Sequence, residues 1–175
     1  MAAKILLNLL AVLILGIIQV SFLTTWPPPI NALNLILSLV IFLGVIVDYR
    51  RSLVLAFAGG LFLDLFSFNT FGLVTLAMIL VAITVNFLFN EIFTNRSLYS
   101  LLILGSTGIL IYNILITVGN FFAHFFGFGL AVSLDWIYFS GLAWQLFLNV
   151  LILTIIFFIF HFSTGRLKAN FLLSR

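Results

Sequence analysis

The sequence contains very few charged side chains, and this scarcity excludes a water-soluble fold. Lys, Arg, Asp and Glu make up 6% of the 175 residues, whereas 65% are hydrophobic and the mean hydropathy is +1.39. A typical soluble domain carries about 25% charged residues, which cover its surface. We therefore expect most of the surface to face lipid, as in an integral membrane protein.

Cysteine is absent and proline occurs only three times. Without cysteine the chain has no disulfide, no thiolate metal ligand and no cysteine nucleophile. The three prolines are consecutive, from Pro27 to Pro29, and follow Trp26 directly. Because prolines cannot continue a helix and Trp favours the membrane interface, this segment predicts a turn at a membrane surface.

Hydrophobic runs divide the sequence into six predicted transmembrane helices in one domain, residues 1–175. A helix that spans a bilayer needs about 20 apolar residues. The first run follows Lys4 as a signal peptide would, but it is too long and has no small-residue cleavage site, so we expect a retained helix. The second and third runs are short, which favours a buried hairpin or locally thinned lipid. The predicted helices cover residues 5–23, 33–47, 53–66, 71–89, 98–122 and 137–162.

The seven basic residues predict how the chain is oriented in the membrane. If the N-terminus is cytoplasmic, all seven lie in cytoplasmic segments, and the turns around 24–32, 67–70 and 123–136 contain none. The positive-inside rule therefore predicts an N-in, C-in topology. This distribution also argues against a nucleic-acid partner, despite a pI near 9.7. The basic residues are Lys4, Arg50, Arg51, Arg96, Arg166, Lys168 and Arg175.

The third predicted helix has the most distinctive pattern. Ser52, Ala56, Gly60 and Asp64 recur every four residues, so three small residues and one carboxylate share a helix face. Small residues let another helix backbone approach closely, from this chain or from a partner. An Asp costs about 2.5–3.5 kcal/mol at the centre of a membrane helix. Asp64 therefore either reaches interfacial water or bonds to the backbone of the next turn, or it has a functional role in which it fixes the turn or receives a partner.

Uncharged polar side chains form faces on the other predicted helices. These faces should turn toward other helices, because amides in hydrocarbon are costly. They either join helices by hydrogen bonds worth about 0.6 kcal/mol each, or line a substrate cavity. The residues are Gln19 in the first helix, Asn86 in the fourth, Asn113, Thr117 and Asn120 in the fifth, and Gln145 and Asn149 in the sixth.

The acidic and histidine residues are too scattered to predict catalysis or a metal site. The four acids divide between predicted cytoplasmic turns and the predicted external side, and His124 and His161 fall at opposite membrane faces. Phosphoryl or proteolytic chemistry in a membrane needs convergent carboxylates, a histidine pair or a Ser/Lys arrangement. We therefore expect no enzyme activity, no cofactor and no metal.

The segment from Pro29 to Gly72 resembles a known protein family. A proline-led, leucine-rich helix is followed by the basic turn "DYRR" and then by "GGLFLDLFSFNTFG". These features are similar to the rod shape-determining protein MreD family of bacteria, whose signature is a Gly-Leu-x-x-Asp-Leu segment before a Gly. The matching positions are Gly60, Leu61, Asp64, Leu65 and Gly72. Length and six hydrophobic segments fit along the whole chain, whereas residue matches concentrate in about residues 29–82.

The resemblance implies a non-catalytic scaffold of the bacterial inner membrane that helps to couple cytoskeletal filaments to peptidoglycan synthesis. Its implied partners are a single-span protein of the MreC type and other proteins of the cell-elongation machinery, and a homo-oligomer is also possible. The resemblance further implies kinship with the six-helix substrate-binding subunits of energy-coupling-factor transporters.

An importer subunit for a vitamin or another small molecule is the alternative function. The first helix lacks the Ala-x-x-x-Ala contact motif that those subunits often carry, because Ala3 is followed four residues later by Leu7 and Ala11 by Leu15. This absence favours the scaffold. A closed polar cavity of a few hundred Å³ with convergent polar groups would favour the importer.

Overall fold

A computed structural model describes residues 13–23, 25–67, 69–93, 96–127 and 135–172, with side chains as far as residue 162. The described residues are 86% helical and include no strand. They form six helices, and a short 3₁₀ turn at Ile30–Ala32 lies between the first two. The helices are α1 (Leu13–Leu23), α2 (Leu35–Val47), α3 (Tyr49–Phe66), α4 (Leu73–Ile92), α5 (Leu98–Phe125) and α6 (Trp136–Leu172).

Three of the described helices are long and apolar enough to cross a membrane, namely α4, α5 and the Trp136–Phe162 part of α6. Three such helices indicate a membrane protein. By contrast, α2 consists of eight α-helical and five π-helical residues, about 20 Å in all, whereas the hydrocarbon core is about 30 Å thick. The 18 residues of α3 include three charged ones, Arg50, Arg51 and Asp64.

The helix boundaries differ from the predicted ones chiefly at α3 and α6. The predicted basic turn at 48–51 is reduced to Asp48, and Tyr49 already begins α3. At the other end of the chain, α6 continues to Leu172, beyond the predicted end at 162. Both differences have one cause: hydropathy marks where the lipid ends, whereas Arg and other good helix formers continue the backbone hydrogen bonds past that level. The predicted start of the first helix at residue 5 lies outside the described residues.

The short helix α2 is the centre of the bundle. Its apolar side chains are buried on all sides, and it contacts α3, α4, α5 and α6. A helix that is apolar all round belongs in a buried position. Because protein rather than lipid surrounds α2, its length need not match the bilayer. The fully buried apolar side chains of α2 are Ile36, Leu37, Val40, Ile41 and Val45.

Candidate functional site

The predicted small-residue face of α3 is packed inside the chain. The Ser52 hydroxyl donates to the Val40 carbonyl at 2.7 Å, and Ala56 is fully buried. At Gly60 an added Cβ would lie 2.6 Å from the Thr75 Cα atom of α4. The face therefore contacts α2 and α4 of the same chain, and the α3–α4 pair is the most extensive helix contact in the described structure.

Asp64 caps the next helix. Its Oδ1 accepts the Val74 backbone N–H at 3.0 Å, and its Oδ2 accepts the Thr75 backbone N–H at 2.9 Å and the Thr75 hydroxyl. Val74 and Thr75 are the second and third residues of α4, where N–H groups lack a partner within the helix. A side chain directly before the helix usually supplies this acceptor. Here the carboxylate comes from the preceding helix, and its negative charge also suits the positive end of α4.

Gly72 is the residue directly before α4, and it explains why a remote cap is needed. It has no side chain to accept a hydrogen bond, and its φ of +88° lies in the left-handed region that favours glycine. This conformation lets the chain reverse direction between α3 and α4. The turn is closed by the Leu73 N–H, which donates to the Thr70 carbonyl at 3.1 Å. Gly60, Asp64 and Gly72 thus build one helical hairpin.

Arg96 provides a second remote cap, at the C-terminal end of α2. Its guanidinium donates to the carbonyls of Ile46 and Val47 at 2.9 and 3.2 Å. These are the last carbonyls of α2, where a cation interacts favourably with the helix dipole. From the sequence, Arg96 was predicted only to mark a cytoplasmic segment. Residue spacing could not have predicted the capping role, because Arg96 lies outside α2 and about 50 positions after the carbonyls that it caps.

Gln19 supports non-helical backbone at the start of α2. Its side-chain N–H donates to the Leu33 carbonyl and its side-chain oxygen accepts the Leu35 N–H, both at 2.8 Å. Inside a membrane, irregular backbone is tolerated only where protein or trapped water satisfies its polar groups. Gln19 therefore completes the backbone hydrogen bonds on either side of Asn34, and Asn34 itself caps α2 by accepting the Leu37 N–H at 3.0 Å.

Asn149 joins α6 to α2. Its side-chain oxygen accepts the Asn34 N–H at 3.1 Å and the Ser38 hydroxyl at 2.8 Å, and its N–H group donates to the Gln145 carbonyl at 2.7 Å. The Asn149 side chain is completely buried. Asn149 thus links α6 to the cap residue and to the first turn of α2.

The other predicted polar residues have different surroundings. Asn113 donates to the Ile109 carbonyl of its own helix at 2.8 Å, so this bond does not connect two helices. Thr117 shares a hydrogen bond of 2.7 Å with the Tyr138 hydroxyl of α6. Asn120 donates at 2.8 Å to Asn69, in the turn before α4. Two more residues, Asn86 on α4 and Gln145 on α6, are half-buried.

A cavity of about 500 Å³ lies at the end of the bundle where α3 ends and α4 begins. Amide, hydroxyl and aromatic side chains line it together with aliphatic ones, and none of the lining residues is charged. The lining residues are Gln19, Val20, Asn31, Leu63, Phe66, Ser67, Asn69, Val74 and Tyr112. Gln19 was among the polar residues predicted from the sequence to join helices or to line a cavity. Tyr112 was not, because a single tyrosine within an apolar run of α5 gives no periodic signal.

A second concave surface, of about 480 Å³, runs along α6. We call it the α6 groove. Two small residues lie among four aromatic ones at intervals of three or four, so the six share one side of the helix. They are Trp136, Phe139, Ser140, Ala143, Trp144 and Phe147.

Among the described residues, no group of three or more His, Asp or Glu side chains is placed to hold a metal ion. No protein-family model matches the chain, and the comparisons with characterised proteins and with solved structures also give no match. The functional proposal therefore rests on the residues, their contacts and the resemblance described above.

Proposed function

We propose that the chain is a six-span, N-in, C-in scaffold of the bacterial inner membrane, similar to the MreD family. In this proposal it acts by helix–helix contact with a single-span protein of the MreC type in the cell-elongation machinery. It carries out no catalysis and needs no cofactor. The sequence signature supports the proposal through its structural role, since Gly60, Asp64 and Gly72 together shape the α3–α4 hairpin.

The observation that carries the proposal is the exposure of α6. Only 11% of its candidate span is buried, against 44% for α4 and 33% for α5. The α6 groove lies on this exposed helix, with the small residues Ser140 and Ala143 between aromatic side chains. Small residues allow close helix packing in membranes, where van der Waals contact contributes much of the association. We therefore place the partner helix in the α6 groove, because the α3 face is already occupied by α2 and α4.

Filling the α6 groove tests this placement. Ser140→Leu and Ala143→Leu each add volume at the proposed contact, and overpacking of about 1–3 kcal/mol corresponds to a loss of roughly 5- to 150-fold in affinity. Co-purification of the single-span MreC-like protein of the same cell should fall accordingly. Gly141→Leu is the matched control, because the added Cβ there meets no atom within 4 Å and the residue lies on another side of α6. Undiminished recovery of the partner with both groove variants would refute this contact.

The 500 Å³ cavity supports a second candidate, the substrate-binding subunit of an energy-coupling-factor importer. Its volume lies in the range of small-molecule sites, and several of its polar groups converge. Its lining includes exposed side chains such as Asn31, so it is open rather than closed. The two candidates are distinguished by binding of radiolabelled vitamins to the purified protein. Saturable binding that Asn120→Ala abolishes would favour the importer and contradict the scaffold.

A further inference from the structure

The walls of the 500 Å³ cavity are held in place by hydrogen bonds outside it. Gln19 is fixed by its two bonds to the backbone around Asn34, and Val74 by its bond to Asp64. Asn69 is held by Asn120 at 2.8 Å. A cavity with such fixed walls is pre-formed, as most small-molecule sites are.

One buried polar atom behind the cavity has an unused hydrogen-bonding position. The side-chain oxygen of Asn120 is inaccessible and makes no hydrogen bond to the described part of the chain. It belongs to the amide that holds Asn69, a lining residue. Buried amide oxygens are nearly always paired with protein or with water. This atom is therefore an unsatisfied acceptor next to the polar wall formed by Asn69.

The charge distribution restricts what can enter the cavity. None of the lining residues is charged, so an anion would find no cation there. The Asp64 carboxylate, bonded to the N–H of the lining residue Val74, is 3% exposed and accepts hydrogen bonds from three neutral donors. It repels an anion, and it offers a cation no free oxygen. Because transfer of an unpaired ion into such a site is costly, both kinds of ion are disfavoured.

We propose that this cavity is a water-filled site for a small uncharged molecule that has a hydrogen-bonding edge and an apolar face. The amides of Asn31 and Asn69 and the hydroxyl of Ser67 face the hydrogen-bonding edge, and Leu63 and Phe66 contact the apolar face. The inference rests on the cavity alone. It is independent of the α6 groove.

Single cysteine variants test the proposal, because the chain has no cysteine of its own. The variant Ser67→Cys places a thiol in the cavity wall. The purified variant in lipid nanodiscs is treated with neutral methyl methanethiosulfonate, with its anionic sulfonatoethyl analogue and with its cationic trimethylammonioethyl analogue. Each rate constant is divided by that for free cysteine with the same reagent. We expect the neutral reagent to react at least about tenfold faster than the anionic one, and faster than the cationic one.

The matched control is Thr70→Cys, which lies in the same turn but is exposed and outside the cavity lining. Its three normalised rates should be similar. Adding Asn31→Trp, which enlarges an exposed side chain of the cavity lining, should slow the neutral reagent at Ser67→Cys about tenfold and leave Thr70→Cys unchanged. If Ser67→Cys does not fold, Asn31→Cys places the thiol at another lining position.

Three results would overturn the proposal. The first is equal normalised rates for all three reagents at the cavity thiol. The second is a cavity thiol that reacts with none of them although Thr70→Cys reacts. The third is a neutral-reagent rate at Ser67→Cys that Asn31→Trp does not change. None of these results would affect the partner contact proposed for α6, which is measured separately.

Discussion

At the scale of single residues, Asp64 shows how a carboxylate can be stable in an apolar segment. Its burial is opposed by a desolvation cost of a few kcal/mol. Each hydrogen bond to a charged acceptor contributes about 1.5–3 kcal/mol, and Asp64 accepts three of them. The positive end of α4 adds up to about 2 kcal/mol in a partly buried geometry. The carboxylate therefore contributes to the stability of the hairpin.

Replacing Asp64 by Asn should destabilise the fold although the shape is kept. Both carboxylate oxygens are acceptors, and an amide would turn an N–H group toward a backbone N–H of α4. We expect the free energy of unfolding to fall by about 1–3 kcal/mol, the cost of an unsatisfied buried donor. Thermal unfolding in detergent, followed by circular dichroism, measures it. Asp48→Asn is the control, since Asp48 is exposed and its side chain caps nothing. Equal midpoints for both variants would contradict the capping role.

The amide positions should differ in their contribution to stability. Asn149→Ala removes the acceptor of two buried donors, Asn34 N–H and Ser38 hydroxyl, so we expect a loss of about 1–3 kcal/mol. Asn113→Ala removes a bond within one helix, so we expect about 0.6 kcal/mol or less. Unfolding of both variants in the same mixed micelles gives the comparison. A larger loss for Asn113→Ala would show that the contact between α2 and α6 is unimportant.

At the scale of helices, the α3–α4 hairpin depends on the absence of a side chain at one point. The Cα atom of Thr75 lies only 2.6 Å from the position that a Cβ of residue 60 would take. Backbone atoms, unlike the end of a flexible side chain, cannot move aside alone. An added methyl group therefore has to separate α3 from α4, and this movement would also lengthen the bonds between Asp64 and the start of α4.

Gly60→Ala should therefore destabilise the protein even though Ala is the better helix former. Overpacking costs about 1–3 kcal/mol, which exceeds the gain of about 0.5–1 kcal/mol from replacing a helical glycine. The control Gly141→Ala, where no atom lies within 4 Å, should be neutral or slightly stabilising. The unfolding midpoint should fall for Gly60→Ala and should stay unchanged or rise for Gly141→Ala. A stabilising Gly60→Ala would mean that the helices are not in close contact.

At the scale of the whole molecule, the proposed six-span topology makes a prediction that is independent of any partner. Reporter fusions after Arg51, Arg96 and Arg175 should report the cytoplasm, and fusions near Asn31, Asn69 and Val132 should report the outside. The fusion near Asn69, in the turn at 67–70, is the most informative one. It tests whether the short α2 and the charged α3 each cross the membrane. A cytoplasmic signal near Val132 would exclude six spans.

Composition and hydrophobic runs by themselves determined that the chain is helical and belongs to a membrane. These properties sum over many residues, so no single contact can change them. The four-residue spacing from Ser52 to Asp64 likewise identified a packing face, because helical geometry alone places these residues together. It left open which helix covers that face and what the carboxylate binds.

Only the tertiary structure decided which groups meet. Asp64 finds its donors 10 and 11 residues away, and Asn149 bonds to a backbone N–H 115 residues away. Such partners depend on how helices cross and on how deep each one lies. An uncharged amide carries no sequence signal for either property. The same holds for Arg96, whose charge indicated a membrane side, and whose role as the cap of α2 required the folded chain.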